Sequence, residues 1–326
     1  MLRVAVLYGG RSGEHEISLR SAESIIAGLD RAKYEVTRIL IDKDGRWQPR
    51  AILPEPGANP GIDVVFPALH GTFGEDGTVQ GLLELADLPY VGAGVLASAV
   101  SMDKEVMKRL LVERGLPIAE YFVALRGRYV LEDICGKLPF PMFVKPANLG
   151  SSVGISKVRT CPELEAALAV AGQWDRKIVV ERGIAGREFE CSVMGNDDPI
   201  AAIPCEILPS REFYDYEDKY LLDAAKTVVP APIEPRQMKE IRRLAVECYR
   251  AVDCEGMARI DFLMEAATGK IYINEINTIP GFTSISMFPK MWEAAGVGFG
   301  ELLDRLIELA LERHKTRHAT RYSRDA

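Results

Sequence analysis

Residues 256–277 read GMARIDFLMEAATGKIYINEIN. Two apolar runs, 256–264 and 270–276, flank a short turn that contains Thr268-Gly269, so the segment reads as a pair of strands. Along a strand, residues i and i+2 point to the same face. Arg259 and Asp261 therefore share a face, while Ile260 and Phe262 point the other way. Glu275 and Asn277 likewise share a face at the end of the second run. If the two runs pair, one surface gathers Asp, Glu, Asn and Arg amid apolar neighbours, and burying those groups without partners would be expensive. Oxygen donors of this kind, with no soft donor among them, suit Mg²⁺ held jointly by protein and substrate phosphates. Arg259 would then face negative charge developing on a reacting oxygen. A purely structural ion-pair network would give the same spacing.

Upstream, KPANLGSSVG at 145–154 places Lys145 at a strand end, before a polar loop with Gly150, Ser151, Ser152 and Gly154. Glycines let the backbone approach a ligand, and amides and hydroxyls can cradle phosphate oxygens. The order is not GxxxxGK[ST], so this is not a P-loop, and a plain turn would also explain it. HGTFGEDG at 70–77 follows the apolar run 63–68 and exposes His70 beside Glu75 and Asp76. A helix start stabilised by those acids accounts for them, but not for one of only four histidines. The loop GGRSGE at 9–14, ending in Glu14, is not GxGxxG and says little alone. His314 and His318 stand at i, i+4, yet their own stretch of chain is basic, so they read as a solvated tail without nearby acids.

The rest of the chain supplies a frame. Strands at 2–8, 36–41 and 63–68 alternate with helices at 18–29 and 77–85, the pattern of βαβ units and a parallel sheet. From about residue 102 a helix at 104–114 leads into strands at 142–145 and 154–158, a helix at 162–171 and a strand at 177–181. From about 186 come strands at 188–193 and 201–207, a polar stretch at 210–225, and a helix at 234–252. The strand pair and helices at 287–295 and 299–314 follow, then a basic tail at 315–326. The expected class is α/β, with α+β central and C-terminal parts, in three domains: 1–101, 102–185 and 186–314.

With 326 residues, 48% of them apolar and 27% charged, the chain is an ordinary globular sequence. Its 40 Lys and Arg against 47 Asp and Glu leave a net charge of −7, which argues against a nucleic-acid partner. No stretch approaches the ~20 apolar residues of a membrane span. Six cysteines form no CxxC pair, so they read as buried reduced thiols, and the expectation is a cytoplasmic protein.

In chain order, HGTFGEDGTVQG (70–81), KPANLGSSVG (145–154), YDYEDKY (214–220), RIDF (259–262) and NEINTIPGFTS (274–284) resemble the D-alanine–D-alanine ligase family of the ATP-grasp superfamily. The resemblance runs over about residues 2–312. It implies ATP gripped between the central and C-terminal sheets, and D-alanine as the other substrate. Lys104 and Lys145 match phosphate-binding lysines, with Ser152 and Lys219 also on the ATP side. Glu181 and Ile184 match adenine contacts, and Glu188 the ribose-binding acid. Asp261, Glu275 and Asn277 match ligands of Mg²⁺, two ions being expected with Mn²⁺ as a substitute. Arg259 and the Gly281 backbone match an oxyanion-stabilising pair. Glu14, assisted by Ser151 and Tyr220, matches the group that orients the first alanine. His70 matches a substrate-side residue, and Ser286 with Met287 the second-alanine subsite. The 210–225 loop would close over the site, and a homodimer is expected. Gly183 stands where relatives often carry a bulky residue beside adenine. A D-alanine–D-lactate or D-alanine–D-serine ligase, or a non-catalytic ATP-binding homologue, would share most of these motifs.

Overall fold

A computed structural model describes residues 1–151, 153–208, 226–283, 285–321 and 324. Three sheets carry the described chain. In the first, β1 (Leu2–Gly9) leads through α1 (His15–Gly28) to β2 (Tyr34–Ile41), then β3 (Trp47–Gln48) and β4 (Val64–Pro67). β1 lies parallel between β2 and β4, and β3 closes the edge antiparallel to β2. Val4 to Leu7 are fully buried, because helices cover both faces of such a strand. The loops after β1 and β4, which carry Glu14 and His70, leave from the same, carboxyl end of the sheet, where ligands of open α/β sheets bind.

Helices α2 (Thr78–Leu85), α3 (Val95–Met102) and α4 (Lys104–Glu113) lead to the second sheet. Asp103 caps α4 by accepting from the N–H groups of Glu105 and Val106. The sheet consists of β5 (Tyr121–Leu125), then after α5 (Leu131–Lys137) β6 (Met142–Pro146) and β7 (Ser156–Val158), and after α6 (Cys161–Trp174) β8 (Lys177–Arg182). Its order is β5-β8-β6-β7, antiparallel throughout. The third sheet runs β12-β11-β9-β13-β14 with β10 beside β9. Its strands are β9 (Gly186–Gly195), β10 (Ile200–Ala201), β11 (Cys205–Leu208), β12 (Lys226–Val228), β13 (Gly256–Glu265) and β14 (Ile271–Asn277). Helix α7 (Pro235–Ala251) packs on it, and α8 (Met287–Ala294) and α9 (Phe299–His318) finish the fold.

Several local readings change. The stretch after Gly94 is a helix, α3, that the sequence reading did not assign. β5 and α5 were not read from the sequence. The single strand expected at 201–207 divides into β10 and β11, with Pro204, which has no N–H to donate, between them. The expectation of six free thiols fails for two: Cys135 in α5 and Cys161 at the start of α6 form a disulfide, with Cα atoms 6.2 Å apart. Sequence separation gave no hint that these two meet. The other four are buried thiols, and burial pushes Cys191 and Cys254 up to about 12. Finally, α9 runs to His318 and does not fray at 314, because its last turns have partners.

Those partners lie in the N-terminal part. Arg313, 4% exposed, donates to the carbonyl oxygens of Gly92 and, at 2.8 Å, Tyr90. Its guanidinium lies 4.4 Å from the centre of the Tyr90 ring. One hydrophobic cluster also runs across this junction, joining Val4, Val64 and Phe66 to Phe282, Phe288 and Leu306. Phe66 and Phe282 meet edge to face with centroids 5.7 Å apart.

Arg313→Met keeps the side-chain bulk but leaves two buried carbonyls without their donor. The expected loss is about 2–3 kcal/mol of stability, read as a lower denaturant midpoint. An unchanged midpoint would mean that Arg313 does not anchor the helix.

Candidate active site

Pairing of β13 with β14 sets Arg259 opposite Asn277 and Asp261 opposite Glu275, with a bulge after Asp261. On its other edge β13 pairs with β9, which sets Glu190 opposite Asp261. Three carboxylates thus stand abreast on one face of the sheet. Arg259 answers them. Its Nε and Nη2 donate to the two oxygens of Asp261, each at 2.7 Å, and Nε lies 3.3 Å from Glu190 Oε2. Burial alone would lower the Arg259 pKa, but Asp261 and Glu190 raise it well above its ordinary value. Asn277 donates its amide to Asp261 Oδ2 at 3.1 Å. The ion-pair network, one of the two alternatives at the level of sequence, is present, and it is built from the same residues as the expected reactive face.

Asp261, Glu275 and Asn277 offer hard oxygen atoms, with no thiolate or imidazole among them, and this donor set fits Mg²⁺. Glu190 escaped the sequence reading, although its i+2 spacing from Glu188 on one strand was the available signal.

A second charged cluster sits between α4, β6 and β8. Lys145 Nζ donates to Glu181 Oε2 at 2.9 Å and to Asn274 Oδ1 at 3.3 Å, while Lys108 Nζ lies 3.1 Å from Glu181 Oε1. All three charged side chains are nearly buried. Burial by itself would raise the Glu181 pKa, but Lys108 and Lys145 overcome it and hold the carboxyl at about 2. Burial pulls Lys108 below its ordinary value, against the opposing charge of Glu181. Lys108 was also missed; it stands four residues after Lys104 in one helix, hence on the same face. Lys104 Nζ donates to the Leu149 carbonyl at 2.7 Å and so braces the glycine-rich loop.

The N-terminal loops complete the arrangement. Ser151 donates its hydroxyl to Glu14 Oε1, joining the loop after β1 to the loop after β6. His70 is buried, where its Nδ1–H donates to the Ile279 carbonyl at 3.0 Å and its Nε2 shares a hydrogen bond with the Ser21 hydroxyl at 2.9 Å. The same hydroxyl accepts the Phe282 N–H at 3.2 Å. Residues 279–282, with Gly281 among them, are thereby pinned to the first sheet. A Cβ at 281 would come within 2.7 Å of Ser286 Oγ, which itself accepts the Thr283 N–H at 3.0 Å.

Two adjoining cavities, of about 680 and about 330 Å³, receive these groups. Glu14, His70, Arg259, Asn277, Gly281, Ser286 and Met287 line the larger. Lys145, Glu181, Ile184, Glu188 and Asp261 line the smaller. Lys104, Ser151, Glu190 and Glu275 border both. The structure therefore brings together every described residue that the family resemblance assigns to the site, while His314 and His318 lie elsewhere. Ser152, Lys219, Tyr220 and the 210–225 loop lie outside the described residues. Gly183 has a steric reason: its N–H donates to the Pro141 carbonyl at 2.8 Å, and a Cβ would meet that oxygen at the same distance. Phe143 lines the smaller cavity beside it.

A parallel-sheet unit set against two antiparallel sheets, with charged clusters facing adjoining cavities, is the architecture of the ATP-grasp ligases. The sequence matches the family described as D-ala D-ala ligase C-terminus over residues 110–308, and D-ala D-ala ligase N-terminus over residues 3–59 and 53–93. A relative from Solibacter usitatus named D-alanine–D-alanine ligase is 69% identical over 323 residues, covering 99% of each chain. Among solved structures, the D-alanine–D-alanine ligase of Coxiella burnetii has a TM-score of 0.88 at 39% identity, covering 98% of this chain and 96% of its own. The VanG D-Ala:D-Ser ligase of Enterococcus faecalis has a TM-score of 0.87 at 35% identity, covering 95% and 99%. The D-alanine–D-alanine ligase of Bacillus anthracis, solved in complex with ATP, has a TM-score of 0.83 at 30% identity, covering 97% and 100%. The chain belongs to the D-alanine–D-alanine ligase family.

Glu181→Gln removes the charge shared by Lys108 and Lys145, and the expected cost is about 3–5 kcal/mol, as for a broken buried pair. The pH dependence has a definite sign. A carboxyl held at about 2 when folded, against an ordinary 4.5, contributes stability above that ordinary value. The contribution is lost as pH falls from 4.5 towards 2. The urea midpoint of the Gln variant should therefore fall less across that window than that of the parent. Parallel falls would refute the assignment.

Proposed function

We propose that the chain uses ATP to join two D-alanines into D-alanyl-D-alanine for cell-wall peptidoglycan, by way of a D-alanyl phosphate. The observation that carries this reading is the pair of adjoining cavities: lysines line one, the Arg259 and Gly281 pair lines the other, and Glu275 borders both. Such an arrangement suits a triphosphate beside two small zwitterions.

In this reading ATP occupies the smaller cavity, with adenine near Glu181 and Ile184, ribose hydroxyls on Glu188, and phosphates on Lys104 and Lys145. Asp261, Glu275 and Asn277 would hold Mg²⁺, which when bound neutralises phosphate charge. Glu14, with Ser151, orients the ammonium of the first D-alanine. The carboxylate oxygen of this D-alanine attacks the γ-phosphorus; the bond to the β-phosphate oxygen breaks, and ADP leaves. The acyl phosphate supplies the electrophile that a free carboxylate is not. The neutral amine of the second D-alanine then attacks the acyl carbon. Arg259 and the Gly281 N–H stabilise the oxyanion, and inorganic phosphate departs as the amide forms. Ser286 and Met287 begin α8, and a helix N-terminus favours the second alanine's carboxylate. His70 acts through Ile279, by fixing the segment that carries Gly281. The same proposal divides the chain at 102 and 186 and takes it as a cytoplasmic homodimer; no helix among the described residues is long and apolar enough to cross a membrane.

Incubation with ATP, Mg²⁺ and D-alanine should release one phosphate per dipeptide, identified by product mass. D-Serine and D-lactate, offered in competition, should be poor second substrates, and L-alanine inert. A depsipeptide or a D-alanyl-D-serine as the main product would transfer the chain to the corresponding alternative. No product from any D-amino acid would sink the enzymatic reading.

Arg259→Lys retains a cation but loses the planar two-pronged donor. Its kcat should fall by about 10²-fold while the KM for ATP stays close to the parent value. A kcat equal to that of the parent would remove Arg259 from the oxyanion pair.

A further inference from the structure

The end of α9 and the turn after α2 meet at a third cluster, apart from both cavities. His314 Nε2 lies 3.1 Å and His318 Nε2 2.7 Å from one and the same oxygen, Asp87 Oδ1. The two ring nitrogens are 3.2 Å apart. This corrects the reading of the pair as a solvated tail without acids: the acid arrives from a part of the chain 227 residues away. The two histidines bring their side chains together by their i, i+4 spacing in a helix.

Hydrogen bonding accounts for each histidine–aspartate contact, but it leaves two like nitrogens directed at one oxygen and close to each other. A metal ion accounts for all three separations together. Donors about 2.0–2.1 Å from a zinc ion lie roughly 3.3 Å apart in a tetrahedral set, and roughly 2.9 Å apart in an octahedral one. The observed triangle of 2.7, 3.1 and 3.2 Å has edges of that size. Among the described residues this is the one group of three acidic, histidine or cysteine donors whose ligand atoms close on one another so tightly.

The surroundings agree. The side chains of His314, Asp87 and His318 are 29%, 43% and 54% exposed, so water can complete the coordination. The end of a helix carries partial negative charge, which favours a cation. Two arginines on the same helix end have acceptors of their own: Arg313 the Tyr90 and Gly92 carbonyls, and Arg317 Glu84 and Glu255.

We propose that Asp87, His314 and His318 form a surface site for a borderline divalent metal of the Zn²⁺ type, distinct from the oxygen-lined Mg²⁺ site. Two imidazoles and one carboxylate select Zn²⁺, Co²⁺ or Ni²⁺ over Mg²⁺, which prefers oxygen ligands. Because Asp87 follows α2 and the histidines lie on α9, the bound ion clamps the C-terminal helix to the N-terminal unit, next to the Arg313 anchor.

The test uses the full chain, stripped with chelator and titrated with Zn²⁺ by calorimetry in excess Mg²⁺ to occupy the oxygen-lined site. One equivalent of Zn²⁺ should bind and raise the thermal midpoint. His314→Ala and His318→Ala should each weaken that binding about tenfold or more, since even an outer-shell partner is worth that much. Circular dichroism of the metal-free variants should match the parent, because neither side chain is buried. With Co²⁺, the visible absorption of the parent should disappear in the double variant. Equal Zn²⁺ binding by the parent and the double variant, or none by the parent, would overturn the proposal.

Discussion

Carboxylates brought abreast on neighbouring strands can be buried only if a cation stands among them. That constraint governs the third sheet. The register of β9, β13 and β14 sets Glu190, Asp261 and Glu275 side by side, and Arg259, two residues before Asp261 on the same strand, shares their face. Shifting one strand by a single residue would turn these groups to the apolar face. Register, charge balance and the placement of these groups are therefore one problem with one solution. The Lys108–Glu181–Lys145 cluster repeats the logic with signs reversed, one carboxylate serving two lysines.

Neither cluster would be useful without the N-terminal unit. The sheet that contains Arg259 does not by itself fix Gly281, which lies beyond the end of β14. Its position comes from His70 holding the Ile279 carbonyl, Ser21 holding the Phe282 N–H, and the Phe282 ring packed on Phe66. The first sheet thus contributes Glu14 to the larger cavity and also sets where the opposite wall stands. The larger cavity is a property of the junction with the N-terminal unit, across which Arg313 ties α9 to the Tyr90 and Gly92 carbonyls.

Much of this was readable along the chain. Alternation placed Arg259 with Asp261 and Glu275 with Asn277 because a strand period of two is a local property. The buried runs of β1 and β4 were visible for the same reason. What failed was whatever depended on a distant partner. Glu190 alternates like an outward residue until β13 pairs with its strand. Lys108 looks like an ordinary helix-surface charge until Glu181 arrives from β8. Cys135 and Cys161 carry no mark of their bond, and Asp87 carries none of the histidines it meets. β5 and α5 also went unread along the chain.

The sequence by itself determined the order of strands and helices, the faces on which the charged residues stand, and the family motifs with their spacing, since these follow from local periodicity and residue chemistry. The tertiary structure alone decided which charges neutralise which, why a side chain at position 183 would press on the Pro141 carbonyl, where residues 279–282 are fastened, and that the tail histidines share a carboxylate. Those outcomes depend on atoms brought within about 3 Å across long sequence separations, where electrostatic and steric terms are strong. No local pattern carries that information.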